Sequence, residues 1–373
     1  MPLSSDPAAR RRLGLLGGAA LLALAAGIAV GGGDNGAPPE PHDGDRSAHE
    51  VREAVDRLSL PQQVGQLTVS SFQDTRPPAY LRRRLRAGET AGVILFGFNA
   101  ATPAQWQRLT GALQRSARNG ALVMVDQEGG DVRTVGWAGP ATGQPLQGDP
   151  AMVRRSARAA ALQLRGAGVN VNLAPVADVP VAGAAAMSSR AFTGGAAGAA
   201  DRTRAAVGGM WSARLAATAK HFPGLGGARV NTDDAGTTST AELGPFRAAI
   251  DAGVPLVMLS HALYPALDPN RIASQSPRVA TELLRRQLGF DGVAITDSIE
   301  AQAVLERSGV AAAAERSVRA GADLILMTGS ASWNEVHPRL LALARRSPQF
   351  RERVRRSAAR VLELKRRLGL RLP

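Results

Sequence analysis

The chain has 373 residues and no cysteine, so it can bury a full hydrophobic core but has no disulfide framework, thiolate metal site or thiol nucleophile. Its formal net charge of +14 points first to nucleic acid or another anionic surface. However, all but two of the 45 basic residues are arginine, aromatic residues make up only 4% of the chain, and no basic segment interleaves with aromatic rings. We therefore expect no nucleic-acid partner.

The first fifty residues do not have the pattern of a folded domain. Arg10, Arg11 and Arg12 precede an uncharged apolar stretch, residues 13–30, which is just long enough to cross a bilayer. The positive-inside rule leaves the arginines in the cytoplasm and sends the rest of the chain across. The sequence predicts a signal peptide or signal anchor over residues 1–32 and a Gly/Pro-rich linker over residues 33–50. We expect an extracytoplasmic protein, either secreted or held in the membrane by residues 13–30.

From residue 51 onward the chain repeats one pattern eight times: a short apolar run, a turn, and an Ala/Arg-rich stretch with helical spacing. Residues 103–118 are an example of such a helix, with a proline in the first turn. Eight strand–helix units predict an α/β fold, a (β/α)8 barrel of TIM type, as a single catalytic domain over residues 51–373. The apolar runs span residues 64–70, 92–98, 121–128, 169–179, 217–224, 254–262, 292–298 and 322–329.

The arginine-rich end of the chain, residues 351–371, allows two interpretations. It is either an amphipathic helix that closes the barrel or a basic segment that binds anionic polymer or lipid. We favour the closing helix.

Several of the apolar runs end in polar or charged residues. Because parallel strands of a barrel end at one mouth, these side chains are expected to form one polar pocket, suited to a polyhydroxylated ligand such as a sugar. No pair of histidine or acidic residues has helical metal-ligand spacing, so we expect no metal site. The residues are Asp126, Glu128, Asn172, Asp178, Lys220, His221, Ser260, His261 and Asp297.

Asp297 is the strongest of these candidates. A β-branched apolar run, Val293 to Ile295, ends in Thr296 and Asp297, so a buried strand delivers a carboxylate to its own C-terminal end. The same residue would also suit the N-cap of a following helix, and this run alone does not decide between the two roles.

Seven motifs between residues 51 and 373 resemble, in order, the barrel domain of glycoside hydrolase family 3. The similarity is greatest to single-domain bacterial β-N-acetylhexosaminidases. The resemblance implies a retaining β-glycosidase that hydrolyses terminal β-linked N-acetylglucosamine or related β-glycosides in peptidoglycan or carbohydrate turnover, without a cofactor and, we expect, as a monomer. The motifs are DQEGGDV, NLAPVADV, SSRAF, KHFPGLG, VMLSHALYPALD, LLRRQLGFDGVAITDSI and AGADLILM.

The resemblance also implies roles for individual residues. Asp297 matches the nucleophile of the family, which forms a glycosyl-enzyme intermediate. For His221 and His261, a purely structural role, bonding to the backbone at the barrel mouth, stays open. The positions that match sugar-contacting residues are Asp126, Arg190, Lys220, His221 and His261.

Two departures from the family pattern affect this prediction. The hexosaminidases carry an Asp-x-His dyad after KHFPG, and here that dyad aligns with Asn231 and Asp233. We expect Asp233 to replace the histidine as general acid and base, oriented by Asn231. In addition, Thr134 stands where the family has an arginine, with Arg133 one place earlier.

Two other functions remain open at this stage. If Asp233 is only a solvated turn residue, the protein is a catalytically weak or silent sugar-binding barrel of the cell envelope. If the pocket is not used at all, it is a basic scaffold that docks on cell-wall polymer through its arginine-rich tail.

Overall fold

The structure is a computed structural model that describes residues 43–373. Its centre is a barrel of eight parallel strands, each hydrogen-bonded to its neighbours in chain order. The first and eighth strands pair through Val69 and Leu326, and a bridge between Ile295 and Leu324 joins the seventh strand to the eighth, so the barrel closes. The strands are β1 (Thr68–Ser70), β2 (Gly92–Ile94), β3 (Leu122–Val125), β4 (Val171–Asn172), β5 (Ala216–Phe222), β6 (Leu256–Leu259), β7 (Val293–Thr296) and β8 (Ile325–Leu326).

Both faces of the barrel strands are buried, which explains their uninterrupted apolar sequences. In β3, Leu122 and Met124 belong to the cluster inside the barrel, whereas Val123 and Val125 pack outward against the helices. A strand covered on both faces needs apolar side chains at every position. The predicted (β/α)8 barrel is therefore confirmed.

A layer of helices surrounds the strands. Helix α4 begins where the proline predicts: Thr102 and Gln105 cap it reciprocally, each side chain accepting the other's backbone N–H, at 3.3 and 3.0 Å. The helices are α1 (Asp43–Asp56), α2 (Leu60–Gly65), α3 (Ala79–Ala87), α4 (Pro103–Ser116), α5 (Pro150–Gly166), α6 (Gly195–Ser212), α7 (Gly244–Asp251), α8 (Gln302–Leu305), α9 (Val310–Ala320), α10 (Trp333–Arg346) and α11 (Pro348–Arg367).

A π-helix, two hairpins and three 3-10 turns lie in the segments that connect the strands and helices. A wider π-helix, Arg278–Gln287, precedes β7. Two hairpins pair Gln127–Gly129 with Val132–Arg133 and Leu263–Tyr264 with Asp268–Ile272. The 3-10 turns are Gly97–Asn99, Gln144–Leu146 and Ala273–Gln275.

The C-terminal helix α11 closes one end of the barrel. Its side chains Val361 and Leu364, followed by Leu368, join the apolar cluster that fills the barrel interior. The opposite end, where the strands terminate, is left open and receives the loops.

The structure differs from the sequence-based boundaries in two places. Residues 64 and 65, predicted to begin a strand, end α2, and β1 begins only at Thr68. Helix α1 begins at Asp43, inside the stretch predicted as linker. The apolar segment 13–30 lies outside the described residues, and the division into residues 1–32, 33–50 and 51–373 stays a prediction. Within residues 43–373, no helix combines the length and apolar composition that a membrane span requires.

Candidate active site

A cavity of about 690 Å³ opens at the carboxyl ends of the barrel strands. Its floor is apolar, formed by Ile94, Met258 and Leu326 from inside the barrel, and its walls are mostly polar. Six of the seven predicted site residues line this one cavity: Asp126, Arg190, Lys220, His221, Asp233 and Asp297.

Asp297 follows β7 directly and points into the cavity with 16% of its side chain exposed. Its Oδ1 accepts the backbone N–H of Ser298 at 2.8 Å, and its Oδ2 lies 3.9 Å from Nε2 of His221. Burial alone would raise the pKa of this carboxyl, but the charges of His221, His261 and Lys220 outweigh burial and lower it. The next helix, α8, starts only at Gln302, so Asp297 does not cap it.

His221 is held in position by a buried carboxylate. Its Nδ1 lies 2.8 Å from Oδ2 of Asp178, and the other oxygen of Asp178 accepts the backbone N–H groups of His221 and Leu225. Because a carboxylate only accepts, Nδ1 donates a proton to Asp178, and Nε2 faces Asp297. The sequence placed Asp178 among the polar residues at the barrel mouth, because it ends the fourth apolar run, but gave it no catalytic or sugar-binding role.

A second group of charges lies across the cavity. Lys220 Nζ contacts Asp126 Oδ1 at 2.6 Å and Glu128 Oε1 at 2.7 Å, and Arg190 binds Glu128 through two hydrogen bonds of 2.9 and 2.6 Å. Burial opposes ionisation of Glu128, but Lys220 and Arg190 lower its pKa to about 2. The carboxylates in turn raise the pKa of Lys220 against its burial.

These four residues divide into an anchor and a ligand-facing part. Glu128 is almost fully buried, whereas 28% of the Asp126 side chain is exposed to the cavity. Glu128 therefore fixes the two cations, and Asp126 is left to accept hydrogen bonds from a ligand. The sequence placed Glu128 in the polar pocket together with Asp126, but it did not indicate that Glu128 anchors the two cations.

Asp233 lies on the loop between β5 and α7, at the rim of the cavity. This loop is attached beside Asp297, because the N–H groups of Gln302 and Ala303 donate to the carbonyls of Asp233 and Thr232 at 3.2 and 3.1 Å. The side-chain amide of Asn231 donates to Oδ2 of Asp233 at 3.2 Å, which is the contact expected of an orienting amide.

The pKa of Asp233 is raised to about 6. Burial of the carboxyl is the largest cause and the negative charge of Asp297 is the second, while His221, Arg190 and Lys220 act in the opposite direction. The rest of the residue is exposed to solvent at the rim, so water screens part of these charge effects. A carboxyl with this pKa is protonated about half of the time at pH 6 and about one tenth of the time at pH 7, so it can still donate a proton in mildly acidic and neutral solution.

His261 is placed differently from the prediction that it contacts sugar. It is 1% exposed and lies behind the cavity wall, with Nδ1 2.8 Å from Ser274 Oγ and Nε2 2.9 Å from the carbonyl of Ser298. Both ring nitrogens are therefore engaged within the protein. Contrary to the prediction, His261 therefore supports the backbone beside Asp297 and has no free ring nitrogen with which to bind a ligand.

The segment after Asp297 contains a site feature that the sequence did not reveal. Glu300 Oε2 accepts hydrogen bonds from Ser298 Oγ at 3.0 Å and from the N–H of Thr328 at 2.9 Å, and all three residues line the cavity. This carboxylate connects the ends of β7 and β8 next to Asp297.

At the second departure from the family pattern, Thr134 and Arg133 form hydrogen bonds with nearby backbone. Thr134 donates its hydroxyl to the carbonyl of Asp126 at 2.8 Å, and the guanidinium of Arg133 binds the carbonyls of Gly136 and Ala138. Both residues line the cavity, but they stabilise their own loop. Within residues 43–373, no group of three or more histidine, aspartate or glutamate side chains is arranged to hold a metal ion.

A closed parallel barrel whose polar mouth holds one carboxyl with a lowered pKa and one with a raised pKa has the features of a glycoside-hydrolysing enzyme. The sequence matches the family described as Glycosyl hydrolase family 3 N terminal domain over residues 59–364. The chain belongs to this family and is a glycoside hydrolase that acts on O-glycosyl bonds.

Individual relatives agree with this assignment. The chain is 35% identical over 289 residues to a beta-hexosaminidase of Xanthomonas campestris pv. campestris (strain B100), covering 72% of this chain and 83% of the relative. It is 34% identical, with a TM-score of 0.79, to the structure of a glycoside hydrolase family 3 beta-N-acetylglucosaminidase from Paenibacillus sp. str. FPU-7, covering 84% of this chain and 63% of that one. The beta-N-acetylhexosaminidase of Beutenbergia cavernae DSM 12333 is 32% identical with a TM-score of 0.75, covering 82% and 98%.

Proposed function

We propose that this protein hydrolyses terminal β-linked N-acetylglucosamine with retention of configuration at the anomeric carbon. The observation that carries the proposal is the pair of carboxyls, Asp297 and Asp233, with oppositely shifted pKa values in one cavity. The beta-hexosaminidase and beta-N-acetylglucosaminidase relatives support the choice of sugar.

In the first step, Asp297 attacks the anomeric carbon while the bond to the leaving oxygen breaks. The proton of Asp233 passes to that oxygen, so the aglycone departs as a neutral alcohol. Asp297 is suited to attack because the charges of His221 and Lys220 keep it ionised.

In the second step, Asp233 is ionised and takes a proton from water, which attacks the anomeric carbon of the glycosyl ester. The bond between the sugar and Asp297 breaks, and the enzyme returns to its starting state. Two displacements at one carbon preserve its configuration.

Recognition of the sugar involves the residues that face the cavity opposite Asp297. Asp126 accepts hydroxyl protons, while Lys220 and Arg190, held by Glu128, donate to hydroxyl oxygens. Buried polar groups that pair with hydroxyls discriminate strongly against ligands that lack those hydroxyls.

The cellular setting belongs to the same proposal. The basic N-terminus and the apolar residues 13–30 support an extracytoplasmic protein, either secreted or membrane-anchored, with peptidoglycan as the source of its substrate. The expectation that the protein acts as a monomer is part of this proposal, and the mass of the protein in solution, measured by light scattering, tests it. Fractionation of expressing cells, followed by detection of the protein in membrane and medium, tests the location.

The test of the activity uses 4-nitrophenyl β-N-acetylglucosaminide beside the β-glucoside, with wild type, Asp297→Ala, Asp233→Ala and the control Asp234→Ala. Asp297→Ala should abolish turnover, and Asp233→Ala should lower it by about 10²–10⁴-fold on substrates with poor leaving groups, less with nitrophenol. Asp234→Ala, which changes the adjacent exposed carboxylate, should retain activity.

Two further observations decide between functions. A β-configured first product, detected by NMR, identifies retention. If neither substrate is turned over but calorimetry shows that N-acetylglucosamine binds, the proposed hydrolysis of N-acetylglucosaminides is wrong and the pocket binds this sugar without cleaving its glycosides.

A further inference from the structure

A second cavity, of about 490 Å³, lies outside the catalytic one, between the loop that follows β1 and helix α4. Three arginines line it: Arg76 on the loop, Arg82 on α3 and Arg108 on α4. Its floor is made by the buried side chains of Asn99 and Leu109. We call it the arginine cleft.

The arginine cleft carries positive charge without a compensating carboxylate. None of its lining residues is acidic, and the three arginines, all exposed to solvent, form no ion pair within the part of the chain that the structure describes. Arg82 donates one hydrogen bond, to the carbonyl of Pro77 at 3.0 Å. Asp74, in the same loop, turns its carboxylate to the backbone N–H groups of Thr75 and Arg76 and does not line the cleft.

The acceptor oxygens of the two amide side chains in the cleft are engaged in hydrogen bonds within the protein. Asn99 Oδ1 accepts the N–H of Phe96 at 2.8 Å, and Gln105 Oε1 accepts the N–H groups of Ala101 and Thr102 at 2.9 and 3.0 Å. The amide NH₂ of Gln105 and most guanidinium N–H groups remain for a ligand. The cleft therefore offers hydrogen-bond donors and positive charge and lacks a carboxylate acceptor.

We propose that the arginine cleft is a second binding site, separate from catalysis, for a phosphate group carried on a small molecule. A phosphate monoester has about −1.5 to −2 charge and three terminal oxygens, so it can receive forked hydrogen bonds from several guanidinium groups at once. A single carboxylate has two oxygens and one charge, which leaves part of a three-arginine site unmatched. A volume of about 490 Å³ also has room for the organic part of the ligand.

The cleft is next to the catalytic cavity but does not share its residues. Phe96 and Gly97 line the catalytic cavity, whereas Asn99, at the end of the same short turn, lines the cleft. Asn99 also donates to the carbonyls of Phe72 and Asp74 at 3.1 and 2.7 Å, which holds the two loops together. A ligand can therefore bind in the cleft while Asp297 and Asp233 remain free.

The test is calorimetry on the full chain with glycerol 3-phosphate, inorganic phosphate and succinate. The variant Arg82→Gln/Arg108→Gln removes one arginine of the cleft from each of α3 and α4. The matched control, Arg83→Gln/Arg115→Gln, removes one exposed arginine from each of the same helices outside the cleft, with the same change in net charge. Arg76→Gln serves as an independent third variant, and Asp297→Asn tests separation from the catalytic cavity.

We expect glycerol 3-phosphate to bind wild type and the Asp297→Asn variant equally. The Arg82→Gln/Arg108→Gln variant should bind it about tenfold or more weakly, and Arg76→Gln should also weaken it, because each removes charge-assisted hydrogen bonds. The control pair should change the dissociation constant by less than about twofold.

Inorganic phosphate distinguishes the two sources of the ligand. If it binds as tightly as glycerol 3-phosphate, the ligand of the cleft is the free phosphate ion; if it binds more weakly, the ligand is a phosphate ester. The proposal is wrong if wild type binds neither phosphate compound, if succinate binds as tightly, or if the control pair weakens binding as much as the cleft pair. Loss of binding in Asp297→Asn would place the phosphate in the catalytic cavity and would also overturn it. All these outcomes are independent of whether the enzyme hydrolyses N-acetylglucosaminides.

Discussion

Asp297 and Asp233 carry the same carboxyl group, yet their surroundings shift its pKa in opposite directions. Asp297 is closely surrounded by imidazole and ammonium groups, whereas Asp233 lies farther out, where burial and the charge of Asp297 act on it. Their different positions in one cavity thus suit Asp297 to act as the nucleophile and Asp233 to act as the acid.

This separation predicts the pH dependence of hydrolysis. Asp233 must hold its proton and Asp297 must be ionised, so activity should fall as pH rises through about 6, and fall again in acid below 3.8, the ordinary pKa of aspartate. Measured on 4-nitrophenyl β-N-acetylglucosaminide, Asp233→Asn should lose the alkaline limb near pH 6. Asp234→Asn should keep it, and an alkaline limb that survives in Asp233→Asn would assign the acid to another group.

Glu128 supports a second prediction at the level of single residues. Removing one partner of a buried charge cluster leaves the others uncompensated, so Glu128→Ala should lower the free energy of unfolding by about 3–5 kcal/mol. Urea denaturation measures this. The control is Asp201→Ala, which removes an exposed ion pair with Arg204 and should change stability by less than about 1 kcal/mol.

The sign of the pH effect follows from the pKa of Glu128, which is about 2 in the folded protein against 4.5 ordinarily. Its contribution to stability is present above pH 4.5 and is lost as the pH falls towards 2. The difference in stability between wild type and Glu128→Gln should therefore shrink across that interval. If this difference in stability did not change with pH, lost packing and not lost charge would explain the effect of the substitution.

At the scale of elements, helix α11 is attached to the barrel by buried charges as well as by apolar contacts. Asp323, just before β8, is fully buried and pairs with Arg353 and Arg360 of α11 and with Arg285 of the π-helix. Ser357 of α11 donates to the same carboxylate at 2.8 Å. The arginine-rich tail is therefore partly used inside the protein, as the favoured closing-helix interpretation requires.

Lys365 on α11 supports a prediction at this scale. It is buried, its Nζ donates to Gln66 Oε1 at 2.9 Å, and burial lowers its pKa from 10.5 to about 7. The unfolded chain thus binds a proton between these values that the folded protein does not, so stability should fall as the pH drops from 10.5 to 7. Lys365→Met should stabilise the protein by about 1–4 kcal/mol at pH 7, and less at higher pH.

Thermal and urea unfolding between pH 7 and 10 measure the effect of Lys365→Met. Arg356→Met, on the exposed face of the same helix, should change stability by less than about 0.5 kcal/mol. Destabilisation of Lys365→Met by the same amount at every pH would show that the hydrogen bond to Gln66 outweighs the burial of charge.

At the scale of the whole molecule, the two ends of the barrel interior differ. One end is filled by the apolar side chains of α11, and the other is the polar cavity that contains the catalytic residues. The network around Lys220 joins segments that are 94 residues apart in the chain. Only closure of the sheet brings them together.

The sequence by itself determined the architecture, because apolar runs and turn residues are local and recur eight times. Motif order also identified Asp126, Lys220, His221 and Asp297 as residues at one barrel mouth. Boundaries were less predictable: Val64 and Gly65 are apolar enough for a strand, but Pro61 lies in the first turn of α2, and the capping of α2 by Ser59 and Gln62 places them in that helix.

Tertiary structure alone decided how each polar residue is used. His261 and His221 both end apolar runs, yet one is enclosed by Ser274 and Ser298 and the other faces Asp297. Likewise, Glu128 became an anchor and Asp233 a carboxyl with a raised pKa through neighbours contributed by distant segments. Burial and charge–charge distances depend on the packed barrel, so a linear pattern of residues contains the candidates but not their environments.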